Sequence, residues 1–348
     1  MKKTKGCDFT MEEILLGTYT REFSKGIYKV ILDKCTNQLK NLQLLIEAQN
    51  PTYLAHDEKY HLISVYGERD DGGIAAFDLV ENPVLMTDKY TEKNVTPLCY
   101  VSTDSERNLL FGANYHDGSI YCYKISDNGE IQLSEKIKRT SKNNQVSHIH
   151  YADLTPDQRL IVCDLGTDEI LLFNISDLGK LELLTTFQLP KGVGPRHLVF
   201  NPNNNELVYI FCELSNQIFT LKYDSDNAQF EQLTVVSSLE QSDQQAAGGA
   251  AIKISQDGKF LYTSTRSNNS INVFEIKDEK LNPIQHISTE GDGPRDFTLA
   301  GQEEYLIVGH QYSNNLTLFK RDSKNGTLTL IQKDFEAPEV VCLLPLDN

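Results

Sequence analysis

Several polar side chains between residues 148 and 295 have the chemistry to bind an anion and to transfer a proton. They are His148, His150, Arg196, His197, Glu213, Arg266 and Arg295. Arginine binds carboxylate or phosphate oxygens through a planar fork, and histidine exchanges protons near neutral pH. A carboxylate can orient such a histidine or act as the base itself. Brought together by the fold, these residues predict a site for an anionic small molecule.

The arginines also have a structural explanation. The sequence Gly194-Pro-Arg196 recurs as Gly293-Pro-Arg295, 99 residues further along the chain. A repeated Gly-Pro can be an entry turn, with each arginine paired to an acid of a neighbouring repeat. Glu213 is a candidate for such a structural ion pair. Both explanations stay open at the level of the sequence.

The histidines are ambiguous in a similar way. His148 and His150 flank Ile149, so in a strand their side chains share one face. Two histidines at this spacing can bind zinc, but no third ligand is evident, and we expect no metal. His197 directly follows Arg196 and is expected to point the opposite way and to pack between repeats.

The elements that position these residues come from one repeated pattern, a polar turn followed by a short apolar run. The runs begin at Ile27, Ile74, Ile120, Ile170, Ile218, Ile271 and Leu316, at intervals of 47, 46, 50, 48, 53 and 45 residues. They are rich in β-branched and aromatic residues, which is typical of strands in hairpins. A period of this size matches about one four-stranded blade. We therefore predict an all-β, seven-bladed propeller.

The two ends of the chain are predicted to close the ring. The segment Pro338–Leu344 is a strand without a repeat of its own, and the first repeat lacks a full preceding segment. We expect the termini to complete one blade of a single domain, residues 1–348, which removes exposed sheet edges. Alignment of the repeats places His150, Arg196 and Arg295 where innermost strands enter the channel. The second strands end at Tyr115, Asp164, Glu213, Arg266 and Gln311.

Composition excludes some partners. The formal net charge of −16 argues against nucleic acid and against an anionic membrane surface, although clustered arginines can still form a local anion site. Seven scattered cysteines without a C-x-x-C pair are expected to be free thiols in a reducing compartment. No signal-peptide core and no apolar run of membrane-spanning length is present. We expect a cytoplasmic protein.

Seven segments resemble the bacterial lactonase family of seven-bladed propellers, whose type activity is 6-phosphogluconolactonase. They are LLGTYTREFSKGIY (15–28), ANYHDGSIYCY (113–123), DLGTDEILLF (164–173), GPRHLVFNP (194–202), ELSNQIFTL (213–221), DGKFLY (257–262) and GPRDFTLAGQEEYLIVGHQYSNNLTLF (293–319). They follow the family's order and spacing over nearly the whole chain. The family also has a branch that resembles fungal carboxymuconate cyclases.

The resemblance implies hydrolysis of 6-phosphoglucono-1,5-lactone, a small anionic sugar lactone of the oxidative pentose phosphate route, without a cofactor. The family's candidate active-site positions correspond to His148, Arg196, Glu213, Arg266 and Arg295. We expect His148 or His150 to take a proton from water, with Glu213 orienting the histidine or the water. Arg196 and Arg266 would stabilise the oxyanion, and Arg295, helped by Lys253 or Lys25, would hold the phosphate. The expected catalytic residues are His148, His150, Glu213 and Arg196, and the expected substrate-binding residues are Arg266, Arg295 and Lys253.

The chain departs from the family pattern at several positions. Ala251 stands where the family has an acid, Asp296 where it has histidine, and Ser147 where it has proline. Two alternatives follow: a cyclase-like or other lactonase activity, and a non-catalytic propeller that binds protein partners on its faces. The non-catalytic alternative predicts that the arginines pair with acids of the blades instead of facing the channel.

Overall fold

The computed structural model describes residues 11–57, 61–140, 145–240 and 248–346, which contain 28 β-strands. The strands form seven antiparallel sheets of four strands each. The innermost strands of neighbouring sheets contact one another all the way round a central channel. The predicted all-β, seven-bladed propeller with four-stranded blades is confirmed. The described residues include no helix that is long and apolar enough to cross a membrane.

The first three blades are built as follows. Blade 1 contains β1 (Met11–Thr18), β2 (Gly26–Asp33) and β3 (Gln38–Glu47), and its innermost strand comes from the other end of the chain. Blade 2 contains β4 (Leu54–His56), β5 (His61–Glu68), β6 (Asp71–Asp78) and β7 (Leu85–Glu92). Blade 3 contains β8 (Tyr100–Asp104), β9 (Leu109–Asn114), β10 (Ser119–Ile125) and β11 (Ile131–Lys138).

The remaining blades follow the same order, from the channel outward. Blade 4 contains β12 (Ile149–Leu154), β13 (Leu160–Asp164), β14 (Glu169–Ile175) and β15 (Leu181–Gln188). Blade 5 contains β16 (Pro195–Asn201), β17 (Asn204–Cys212), β18 (Gln217–Asp224) and β19 (Gln229–Ser237). Blade 6 contains β20 (Gly249–Ile254), β21 (Phe260–Thr265), β22 (Ser270–Lys277) and β23 (Lys280–Ser288). Blade 7 contains β24 (Pro294–Ala300), β25 (Tyr305–His310), β26 (Asn315–Arg321) and β27 (Leu328–Glu336), and β28 (Val340–Pro345) completes blade 1.

Each apolar run of the predicted repeat is the third strand of a blade. The seven residues that mark the repeat lie in β2, β6, β10, β14, β18, β22 and β26. All seven are fully buried. The hydrophobic core lies between adjacent blades, since one apolar cluster joins Phe111 of blade 3, Leu171 of blade 4 and Val208 of blade 5. Because both faces of a blade are covered, inner strands are continuous apolar runs, which is why the repeat is visible in the sequence.

The ring closes through the pairing of β28 with β1. The two strands run antiparallel, from the pair Ile14–Pro345 to the pair Thr18–Val340. The N-terminal and C-terminal segments therefore share blade 1, as predicted. This closure leaves no inner sheet edge open to another chain.

The innermost strands of blades 4 to 7 each carry a bulge where they enter the channel. Pairing with the second strand shifts register between Ile149 and Tyr151 in blade 4, and between Pro195 and His197 in blade 5. Blade 6 has the same irregularity between 249 and 252, and blade 7 between 294 and 296. In blade 3, β8 and β9 pair without a shift. A bulge redirects side chains, and three of these four bulges contain a candidate residue: His150 in blade 4, Arg196 in blade 5 and Arg295 in blade 7.

The described cysteines are unpaired. Cys122, Cys163, Cys212 and Cys342 are buried, whereas Cys99 is partly buried and Cys35 is exposed. The prediction of free thiols holds for these six residues, and Cys7 lies outside the described part of the chain. Burial raises the pKa of Cys99 to about 12, so this thiol stays protonated and is a poor nucleophile.

Candidate active site

A cavity of about 370 Å³ opens at the channel mouth where the innermost strands begin. Its volume is within the range of small-molecule sites. The wall includes His150 of blade 4, Arg196 and Glu213 of blade 5, and Arg295 of blade 7. The structure therefore brings together four of the seven expected catalytic and substrate-binding residues, and they come from blades 4, 5 and 7.

Glu213 bridges two arginines at the edge of this cavity. It directly follows β17, and its Oε2 lies 3.0 Å from Nε of Arg196, while its Oε1 lies 2.9 Å from Nη2 of Arg266 in blade 6. Burial acts to raise the pKa of Glu213, but the charges of Arg196, Arg266 and Arg295 outweigh it and the pKa is lowered. Glu213 is thus an ionised link between blades and also part of the cavity wall. Arg266 reaches Glu213 but is not itself part of the wall.

Arg196 is a buried cation. Its side chain is 3 % exposed, its Nη1 donates to the Ala250 carbonyl at 2.7 Å, and the same nitrogen lies 3.3 Å from Nε2 of His197. Burial lowers the pKa of Arg196 to about 10, and the charge of Arg295 acts in the same direction. Arg196 therefore stays charged at neutral pH and shares one counter-ion, Glu213, with Arg266.

The cavity has an excess of positive charge. Arg295 lines it without an ion pair to any described carboxylate, and so does Arg21, which lies in the loop after β1. With Arg196 and Arg266, these make four arginines. The carboxylates that face them in or beside the wall are Glu213 and Asp296. In a chain with a net charge of −16, this mouth is locally cationic.

His150 is the histidine that faces the cavity from blade 4. Its Nδ1 is buried without a hydrogen-bond partner among the described residues, and its ring lies edge-on to His197, with centroids 5.1 Å apart. Burial lowers the pKa of His150 well below 6.5, and the charges of Arg196 and Arg295 lower it further. His150 is therefore neutral at physiological pH, which is the form that a general base requires.

His148 occupies a different position from His150. It stacks on Tyr115, with ring centroids 4.3 Å apart, and its Nδ1 lies 2.8 Å from the Tyr115 carbonyl oxygen. Tyr115 also contacts His150, at 6.0 Å between centroids, but only His150 and Tyr115 line the cavity. The bulge in β12 separates the two histidines that a regular strand would place side by side. Within the described residues, no group of three or more ligating side chains is arranged to hold a metal ion.

The expectation that His197 points away from Arg196 is wrong, although its ring does pack against aromatic residues of other blades. The bulge between Pro195 and His197 places both side chains on the cavity wall. His197 forms part of the cavity floor with Tyr53 and packs edge-on against Tyr100, at 6.1 and 5.4 Å between ring centroids. Burial lowers the pKa of His197 well below 6.5, so its ring is neutral.

Lys253 lies apart from the cavity wall. It is partly buried on β20, where its charge acts to lower the pKa of Asp153 and of Asp296, although burial raises both pKa values overall. Lys25, in the loop after β1, is exposed and also outside the wall. Ala251, at the position of the missing acid, is buried in an apolar cluster with Phe297. The cations on the wall are therefore Arg21, Arg196 and Arg295 rather than Lys253 or Lys25.

Sequence comparison of the repeats missed Tyr19 and Arg21. Tyr19 directly follows β1, just as Glu213 follows β17 and Arg266 follows β21. Since β28 is the innermost strand of blade 1, β1 is a second strand, and its end belongs to the same ring of positions. Both residues are in the segment LLGTYTREFSKGIY. The equivalence of Tyr19 to Glu213 and Arg266 becomes apparent only when the closing strand is counted as part of blade 1.

Comparison with known proteins agrees with this architecture. A family model described as lactonase, 7-bladed beta-propeller, matches residues 13–345. The chain is 45% identical over 341 residues to an uncharacterized protein of Lactococcus lactis, covering 96% of this chain and 99% of that protein. It is 32% identical over 338 residues to 6-phosphogluconolactonase of Bacillus subtilis, covering 94% and 96%. A crystal structure of a Lactobacillus plantarum protein superposes with a TM-score of 0.93 at 42% identity, covering 97% and 100% of the two chains. The chain therefore belongs to the lactonase family of seven-bladed β-propellers.

Proposed function

We propose that this protein is a cytoplasmic lactonase that hydrolyses 6-phosphoglucono-1,5-lactone. The observation that carries the proposal is the cationic cavity beside a neutral, buried histidine, His150. An anionic lactone supplies the negative charge that this cavity lacks. The relationship to the Bacillus subtilis 6-phosphogluconolactonase supports the phosphorylated substrate, and the unpaired cysteines of the described residues support a reducing compartment.

In the proposed reaction, His150 acts as the general base. A water molecule gives a proton to the imidazole of His150 while its oxygen bonds to C1 of the lactone. The carbonyl electrons move to the C1 oxygen, which becomes an oxyanion beside Arg196. The bond between C1 and the ring oxygen then breaks, and His150 returns the proton to that oxygen. The product is the open-chain acid.

Glu213 has a positioning role in this proposal. Both of its oxygens already contact guanidinium groups, those of Arg196 and Arg266. It therefore sets the direction in which Arg196 faces the reacting carbonyl, and its remaining lone pairs are available to hold the attacking water. Because a sugar lactone is already reactive, general-base assistance of roughly 10²–10⁴-fold is sufficient.

The proposal is tested by initial rates on two lactones, 6-phosphogluconolactone and unphosphorylated gluconolactone, each corrected for spontaneous hydrolysis. We expect kcat/KM to be at least about tenfold higher for the phosphorylated lactone, equivalent to about 1.4 kcal/mol of transition-state binding. Equal values of kcat/KM for the two lactones would show that the protein does not recognise the phosphate group. Rates no higher than the spontaneous background for both would leave the non-catalytic, partner-binding propeller.

A further inference from the structure

We propose that Tyr19 and Arg21, together with Arg295, form a phosphate-binding rim at the outer edge of the cavity, and that Glu339 positions the loop that carries Tyr19 and Arg21. This inference rests on the proposed function for the identity of the substrate, and it adds a binding contact from blade 1 that the sequence comparison did not contain. The rim would take the phosphate ester, at the end of the substrate farthest from the lactone carbon.

The rim consists of two cations around one aromatic ring. The guanidinium carbon of Arg21 lies 3.8 Å from the centroid of the Tyr19 ring, and that of Arg295 lies 5.9 Å from the same centroid. All three residues line the cavity. Stacking on an aromatic face orients a guanidinium and leaves its N–H donors free at the edge. The donors of two arginines are thus available for one ligand.

The rim cations lack the counter-ion that the deeper cations have. Arg196 and Arg266 share Glu213, whereas neither Arg21 nor Arg295 has an ion pair with a described carboxylate. The charges of Arg21 and Arg295 repel each other, and a bound anion reduces that repulsion. A phosphate monoester, with about two negative charges and three acceptor oxygens, matches two guanidinium forks.

The depth of the arginines gives the orientation of the substrate. Arg21 is exposed, Arg295 is partly exposed and Arg196 is buried. Arg295 is near enough to His150 for its charge to lower the pKa of that histidine, and it also shares the Tyr19 ring with Arg21. A substrate whose lactone carbon lies near His150 and Arg196 therefore extends outward past Arg295 and ends at Arg21.

The loop that carries Tyr19 and Arg21 is held by a buried carboxylate. Glu339 accepts hydrogen bonds from four consecutive backbone N–H groups, those of Arg21, Glu22, Phe23 and Ser24, at 3.0, 3.1, 3.0 and 3.0 Å. Its own carbonyl accepts the Tyr19 N–H at 3.0 Å. Burial would raise the pKa of Glu339, but these donors outweigh it and the pKa is lowered. An exposed loop is thus preorganised, which reduces the entropy lost when the substrate binds.

The decisive experiment compares Arg21→Ala with Arg69→Ala. Arg69 is also an exposed arginine in a turn, between β5 and β6, but it is not part of the cavity wall. For 6-phosphogluconolactone we expect R21A to raise KM roughly tenfold, because one charge-assisted contact is lost, with kcat unchanged within about twofold. Arg21→Lys should recover part of the loss, and R69A should behave as the wild type. For gluconolactone, R21A should change neither constant.

Binding of the product 6-phosphogluconate, measured by calorimetry, tests the rim separately from turnover. If the wild type hydrolyses neither lactone but R21A binds 6-phosphogluconate roughly tenfold more weakly than the wild type does, the rim is supported and the proposed function is contradicted. Wild-type kinetics and wild-type product binding in R21A would overturn the rim while the lactonase activity stands. An equal loss on both lactones would also overturn it, since the effect would then be general.

Glu339 is tested as a positioning residue by Glu339→Gln and Glu339→Ala. If the carboxylate orients the rim, E339A raises KM for the phosphorylated lactone but leaves kcat/KM for gluconolactone unchanged, and E339Q, which keeps one acceptor oxygen, lies between E339A and the wild type. A fall of kcat on both lactones together with a lower melting temperature would instead assign Glu339 a purely structural role. If E339A does not fold, R21A still decides whether the rim binds phosphate.

Discussion

At the scale of single residues, the site combines one proton acceptor with a cluster of cations. His150 lies beside Arg196 and Arg295, and burial together with these charges keeps its ring neutral. A substrate phosphate offsets part of the arginine charge, so the bound state favours protonation of His150 more than the free state does. Anion binding and proton transfer are thus coupled through the same arginines.

His150 and His148 can be separated by kinetics. We expect His150→Gln to lower kcat on 6-phosphogluconolactone by about 10²–10⁴-fold, because the general base is lost. His148→Gln should stay within a few-fold of the wild type, since His148 stacks on Tyr115 and does not line the cavity. The opposite pattern would make His148 the base, and unchanged kcat in both variants would remove histidine from the mechanism.

At the scale of elements, the turn between the second and third strands of several blades holds the loop that enters the next blade. A side-chain oxygen in the turn accepts a backbone N–H of that loop. The pairs are Asp168 with Gly194, Asn269 with Gly293, and Asn314 with Glu339, at 2.8, 2.9 and 2.9 Å. Each turn residue has a positive φ, of 60°, 52° and 54°, which asparagine and aspartate tolerate better than most residues. The repeated Gly-Pro-Arg is therefore a clamped entry that aims Arg196 and Arg295.

Substitution of Asp168, the turn residue of blade 4 that holds the loop at Gly194, should affect both stability and activity. Asp168→Ala leaves the N–H groups of Gly192 and Gly194 without their acceptor. Gly194 is buried, so its unsatisfied N–H costs about 1–3 kcal/mol. We expect a lower free energy of unfolding and a lower kcat/KM, because the loop that leads into β16 and positions Arg196 is no longer held in place. Asp168→Asn should retain most of the stability and most of the activity, because the asparagines at the equivalent positions of blades 6 and 7 accept the same backbone hydrogen bond.

A suitable control for D168A is Gln158→Ala, in the turn before β13. Gln158 also has a positive φ, of 65°, but its side chain is exposed and holds no loop. Denaturant unfolding and steady-state kinetics of the three variants give the comparison. Equal losses in D168A and Q158A would show that backbone strain, not the clamp, is responsible.

At the scale of the whole molecule, stability should depend on pH through three buried histidines, His150, His197 and His310. Burial is the main reason that their pKa values are lowered from 6.5. In the unfolded chain they titrate near 6.5. These histidines contribute fully to the free energy of unfolding above pH 6.5. The contribution decreases as the pH falls below 6.5, by up to about 1.4 kcal/mol per pH unit for each histidine. Asp153 and Asp296, whose pKa values burial raises, act in the opposite direction.

Comparison of variants isolates the contribution of the histidines. Free energies of unfolding at pH 7.5, 6.5 and 5.5 should fall less steeply in His150→Gln and in His197→Gln than in the wild type. His116→Gln, at an exposed histidine of the cavity mouth, should leave the slope unchanged. Identical slopes in all four proteins would contradict the burial of these histidines in the neutral form.

The fold was predictable from the sequence because the third strand of every blade is buried on both faces. That burial demands a continuous apolar run, and the run repeats wherever a blade repeats. The closure of the ring was also predictable, since Pro338–Leu344 had no other partner strand. The position of the site at one mouth of the channel was predictable as well. Repeated blades place equivalent strand ends at the same end of the ring, and several of these strand ends carry arginine or glutamate.

The tertiary structure alone decided which of these side chains face the cavity. The bulges in β12 and β16 turned His197 inward and set His148 apart from His150, and a bulge depends on pairing with the neighbouring strand. Ring closure brought Arg21 of blade 1 beside the same tyrosine as Arg295 of blade 7, although the two arginines are 274 residues apart in the sequence. The amino-acid sequence by itself therefore determined the ring and the charges at its mouth, while the long-range pairing of strands determined how those charges are arranged.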